Sequence, residues 1–191
     1  MPSNFWTRVK HATADAVAPL ADLEPAAAAL LAPEMTPAQF HERLVAQKLL
    51  LDAIRFLAQA LPPREAVFWS LQCAREAGGK EASDGQLLAI AERWVKAPSD
   101  DGGRAGFALA EKSGFKTAAA WVAVGCFWSG PSLAPPSVAA VPPAPGLAGK
   151  AASGAILLAA VSGKPQDAPK LHARFLDLGV AIANGTTPIP G

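Results

Sequence analysis

Tyrosine is absent, histidine occurs three times, cysteine twice, and only 17% of the residues are charged. Each shortage removes a class of function. With a formal net charge of +1 and a pI near 7.8, no field steers the chain toward nucleic acid or an anionic bilayer. The apolar run after Ala118 lasts about eleven residues before Ser129-Gly130 interrupts it, short of the ~20 that a spanning helix needs, so no stable membrane insertion is expected. Arg8, Lys10, Asp15, Asp22 and Glu24 break up the amino-terminal segment, where an export signal carries an unbroken apolar core. The expected location is the cytoplasm.

Chemistry is equally sparse. His11, His41 and His172 are far apart, and His41-Glu42 has no second histidine one helical turn on, so the zinc-protease pattern is missing. Cys73, in SLQCARE, and Cys126, in VGCFWS, sit among apolar or helical neighbours and read as buried free thiols, with a single disulfide or redox pair as the alternative. No pattern marks a base for Cys126, and Ser153 lies in AASGAI, where the surroundings read as helix and not as a strand-to-helix elbow. Gly78-Gly79-Lys80 and Gly102-Gly103-Arg104 place glycines beside a cation, yet neither has phosphate-loop spacing or follows a strand; both read as helix stops and loops. No catalytic residue, cofactor or metal ligand is assigned.

What is present is helix. Hydrophobic residues make up 51% of the chain, much of that alanine, and no convincing alternating strand occurs. After a brief helix in Leu23–Ala32, Thr36 with Gln39 forms a capping-box spacing with Pro37 at the first helical position. One long helix is expected from there to about Ala60, with an early stripe at Phe40 and Leu44 and a later one at Leu50, Ile54, Leu57 and Leu61. Pro63 opens the next helix and Gly78-Gly79 ends it. Ser83 with Gln86 repeats the capping spacing, Ser99 with Asp100-Asp101 is a further entrance, and Thr117 caps an aromatic segment. Two more helices are expected from Gly149 to Val161 and from Ala168 to Ala183, the last closed by Asn184-Gly185. Trp69, Trp94, Trp121 and Trp128 lie in apolar helical contexts and read first as core. Phe5, Trp6 and Val9 beside Arg8 and Lys10 read as aromatics packing back on the domain, with a short membrane-surface anchor as the lesser reading.

The most unusual stretch is Thr117 to Gly149, which contains no Lys, Arg, Asp or Glu. It joins an apolar helix, Ala118 to Trp128, to a segment whose Pro131, Pro135, Pro136, Pro142, Pro143 and Pro145 rule out helix and central strand. The uncharged face formed by Phe127, Trp128, Leu133, Pro135, Pro136, Val138 and Val141 is the candidate protein-binding site. The competing reading makes the segment a strap covering the protein's own core, on which Trp128 is simply packed.

Ile54–Ala74 (IRFLAQALPPREAVFWSLQCA), Leu88–Pro98 (LAIAERWVKAP), Ala119–Pro145, with its FWSG, LAPP and VPP runs, and Ile156–Gly163 (ILLAAVSG) together resemble a family of uncharacterised bacterial all-helical proteins. The resemblance covers most of the chain after Thr36, with Pro131 standing where a second glycine is expected. It carries over no site residue, and implies a genetic setting beside type VI secretion components. The expected organisation is an amino-terminal arm (1–22), a helical domain (23–185) with a proline-rich connector (130–147) and a flexible tail (186–191). The fold expected is all-α, an irregular single-domain bundle of about eight helices. The function expected is that of a non-catalytic adaptor binding other proteins, among them secretion components. An enzyme with a dispersed site near Cys126 and a helical sensor of small ligands are the alternatives.

Overall fold

In the computed structural model, which describes residues 6–191, the capping box at Thr36 forms as its spacing predicts. The Thr36 hydroxyl accepts the Gln39 N–H at 3.3 Å, and the Gln39 carboxamide accepts the Thr36 N–H at 2.9 Å. The single long helix does not form. Helix α2 (Pro37–Ala46), which follows the one-turn α1 (Pro25–Ala28), stops after one stripe, and α3 (Leu50–Ala60) carries the other. Lys48 adopts φ +60, the Leu49 N–H returns to the Leu44 carbonyl at 3.0 Å and the Lys48 N–H to that of Val45 at 2.9 Å. That is a Schellman closure with lysine where glycine is usual. The break lets Phe40 and Phe56 meet edge to face at 4.8 Å, both fully buried.

The chain continues through α4 (Pro63–Ala77), α5 (Asp84–Lys96), α6 (Asp100–Lys112), α7 (Ala118–Trp128), α8 (Leu147–Val161) and α9 (Ala168–Ala183), with no strand among the described residues. Helices α7 and α8 form the centre: α8 packs on α3, α4, α7 and α9, and α7 on α4, α5, α6 and α8. Both are apolar on nearly every side, and the small residues of α8, from Ala148 to Ala160, let its neighbours approach closely. The result is an irregular single-domain all-α bundle. No described helix is long and apolar enough to cross a membrane.

Gly102 and Gly103 do not form a loop. Helix α6 begins at Asp100, capped by the Ser99 hydroxyl, and contains both glycines. A Cβ on Gly103 would stand 3.1 Å from the Phe127 backbone, so the glycine is what allows α6 to lie against α7. Tertiary contact here outweighs glycine's poor helix propensity.

The capping box expected at Ser83 is also absent, because Ser83 is itself αR and makes no side-chain cap. Asp84 takes over. Its buried carboxylate accepts the Lys80 N–H at 2.7 Å, the Glu81 N–H at 3.1 Å and the Thr117 hydroxyl at 2.6 Å. Thr117 in turn caps α7 by accepting the Ala120 N–H. One side chain thus ties the loop after α4 to the starts of α5 and α7. Asp84→Ala leaves these donors unpaired and is expected to destabilise the protein by about 3 kcal/mol, with Asp84→Asn losing less because its carboxamide oxygen still accepts. Urea unfolding at neutral pH measures both; equal, sub-kcal losses would show that water replaces the carboxylate.

Both ends of the described residues lie on the bundle. Trp6 is buried and meets His41 edge to face, and Ala14, Val17 and Ala21 join the main core. Phe5 lies outside the described residues. Ile189 packs against the core, and Arg64 donates to the Pro190 carbonyl at 2.6 Å. Trp69 and Trp94 are core residues as expected, whereas Trp121 and Trp128 are half-buried, edge to face at 6.2 Å.

Candidate functional site

The connector between α7 and α8 is a pinned loop. It is anchored from α6, where Arg104 is held by Asp100 (Nε to Oδ2, 2.7 Å), lies over the Phe127 ring with its guanidinium 5.4 Å from the centroid, and donates to the Ser132 carbonyl at 2.9 Å. Ser132 is buried, and its hydroxyl accepts the N–H groups of both Ala134 (3.1 Å) and Val141 (3.0 Å). The Leu133 N–H bonds to the Val141 carbonyl at 2.8 Å, and the Val138 N–H closes a turn onto Pro135 at 3.2 Å. Segment 132–141 is therefore a small closed loop whose ends are held together by the Ser132 hydroxyl and by the Leu133–Val141 backbone bond. Its prolines carry no N–H to satisfy, so the tip stands in water with few unmet donors.

The proposed binding residues separate by depth. Val138 and Val141 are 59% and 54% exposed, and Pro135 and Pro136 are exposed beside them. Leu133 and Trp128 are half-buried. Phe127 is buried, packed 4.7 Å from Phe107 under the Arg104 guanidinium, and faces inward. It supports the loop's anchor and has no surface to offer a partner. Of the residues that shape the loop, Ser132 was not singled out from the sequence, and Arg104 was noted only as a cation beside two glycines. A serine between Pro131 and Leu133 and an arginine 28 positions away give no local sign that they meet.

Both cysteines and two of the three histidines are wholly or partly withdrawn from solvent, His11 being exposed. Cys73 and Cys126 are both free and buried. Burial pushes both thiols up, with Glu76 adding to the rise at Cys73. Neither offers a thiolate at neutral pH, which leaves Cys126 without the state a nucleophile needs. His41 is buried in α2 and His172 half-buried in α9, and desolvation lowers the pKa of each, His41 to about 4. Among the described residues no group of three His, Cys, Asp or Glu side chains is placed to hold a metal ion.

The Gly78-Gly79-Lys80 segment is a loop, as its composition suggests, and it borders a cleft of about 300 Å³ with Lys116 and Leu158. The loop amides that would face an anion there, those of Lys80 and Glu81, already donate to Asp84. The protein thus supplies its own carboxylate at that position.

A model of a family of unknown function (DUF6931) matches residues 40–183, well over half of the chain, which agrees with the resemblance to an uncharacterised family. No curated protein and no solved structure matches the chain.

Proposed function

The chain belongs to this family of unknown function, and we propose that it is a non-catalytic adaptor that binds another protein through the tip of the 132–141 loop. The observation that carries the reading is the exposure of Val138 and Val141, 59% and 54%, on a loop whose backbone is already tied by Ser132 and Arg104. A loop ordered before binding loses little conformational entropy on docking, and an uncharged tip has little to desolvate. Both favour an apolar groove on the partner as the complementary surface. The adaptor acts in the cytoplasm, and its partner belongs to a secretion apparatus of the type VI kind. No catalytic group takes part; Cys126, the best sequence candidate for one, is buried with a raised thiol pKa.

Val138→Lys with Val141→Lys tests this without touching the core. Exposed substitutions of this kind are expected to change stability by no more than about 0.5 kcal/mol each. A partner captured from bacterial cytoplasm by the wild type, type VI components included, is expected to be lost by the double variant. Recovery of the same partner by an equally helical double variant would remove the loop as the binding element and leave it a strap over the core.

A further inference from the structure

A second site lies away from the loop, where α2 and α9 each pack on α3 but barely on one another. The gap is a groove of about 370 Å³, within the size range of small-molecule sites. Residues one helical turn apart supply its walls: His41 and Val45 from α2, Leu176 and Val180 from α9, with Trp6 between them. Its lips are acidic. Glu42 on one side and Asp177 on the other are exposed, and neither carboxylate makes an ion pair or hydrogen bond with any described residue; no lysine or arginine is among the described lining residues. In the wall, His41 is 4% exposed and its Nε2 has no hydrogen-bond partner. A buried polar atom without a partner is costly in a finished core and is commonly satisfied by something that binds.

We propose that this groove binds a small organic ammonium with an apolar body. The body lies against Trp6, Leu176 and Val180, the charge is balanced by Glu42 and Asp177, and an N–H of the ligand donates to His41 Nε2. A neutral imidazole is the acceptor this requires, and desolvation keeps His41 neutral at pH 7. The Trp6 indole, edge-on to the imidazole at 5.2 Å, shifts aside to admit the donor. An anionic ligand is repelled by both lips, and a neutral one leaves the two carboxylates unmatched.

Benzylamine is the probe, with benzyl alcohol and benzoate as its neutral and anionic counterparts, titrated at pH 7 into the full ¹⁵N-labelled chain while the His41 imidazole and Trp6 indole nitrogens are followed. Benzylamine is expected to saturate and move both resonances, the alcohol to bind about fivefold more weakly, as expected for partly screened carboxylates, and benzoate not to bind. Glu42→Gln with Asp177→Asn, both at the surface, is expected to bring benzylamine down to the affinity of the alcohol, and His41→Phe to weaken benzylamine more than the alcohol. Non-saturating shifts, saturation that leaves His41 and Trp6 unmoved, equal affinities for amine and alcohol, or an amine preference that survives the carboxylate variant would each overturn the proposal.

Discussion

Replacing Trp69 with alanine is expected to remove about 4 kcal/mol of unfolding free energy, a large share of the stability of a domain of this size. Trp69 is fully buried on α4, and its indole N–H donates at 2.7 Å to the Phe175 carbonyl on α9. The ring sits in a notch that α9 opens one turn later. A Cβ on Gly179 would stand 2.6 Å from Trp69 Cε2 and 2.7 Å from Leu57 Cδ2, so neither ring nor helix has room to give. Gly179→Ala is therefore expected to cost about 2–3 kcal/mol through overpacking, despite alanine's better helix propensity. The two changes must also couple. In a Trp69→Phe background the shorter ring vacates the notch, and Gly179→Ala is expected to cost at least ~1 kcal/mol less than in the wild type. Urea unfolding of the four proteins measures the coupling; strict additivity would mean that the glycine serves something other than the tryptophan.

The second large effect is on the acid side of the stability profile. Burial holds His41 at a pKa of about 4 in the folded protein, against 6.5 for the free side chain. Between those values the unfolded chain binds a proton that the folded chain does not, so stability rises with pH across the window. The contribution is fully present above about pH 6.5, falls as pH drops toward 4, and amounts to about 3 kcal/mol over the whole interval. Below about pH 4 both states are protonated and the loss levels off. His172 is lowered by burial as well and pulls in the same direction, so the wild-type curve alone does not isolate His41. The difference between wild type and His41→Phe does. That difference is expected to shift by about 3 kcal/mol against the wild type from pH 7 to pH 4, and a flat difference would mean that the folded protein lets water reach the imidazole.

Much of the helical outline was legible because its signals are short-range. Thr36 with Gln39, Ser99 and Thr117 satisfy first-turn N–H groups from within a few residues, and Gly78 and Gly185 take the positive φ that stops a helix. The end of α9 at Ala183 follows directly from such a signal, whereas its start at Ala168 has no side-chain cap. The two stripes after Pro37 were also visible, but their meaning was not: a lysine at φ +60 is an unfavoured way to divide a helix, and it forms because the break folds α3 back so that Phe40 and Leu44 bury in the same core as Ile54, Phe56 and Leu57. Asp84 was hidden for a related reason. Its partner Thr117 is 33 residues away, and an aspartate one position past an apparent cap looks local.

The candidate loop divides along the same line. By itself the sequence determined that the proline-bearing stretch 131–145 is neither helix nor strand and that Thr117–Gly149 carries no charge, since proline geometry and composition act at every position independently; helix α8 starts at Leu147, inside the connector and ahead of Gly149, where the sequence placed it. Only the tertiary structure decided that Val138 and Val141 face water while Phe127 faces Phe107, that Ser132 closes the loop, and that α2 and α9 leave a groove with His41 in its wall. In a helix apolar on nearly all sides, periodicity cannot say which face is covered. Exposure there is set by which neighbouring helices reach it, and those contacts join residues too far apart in the chain for any local pattern to record.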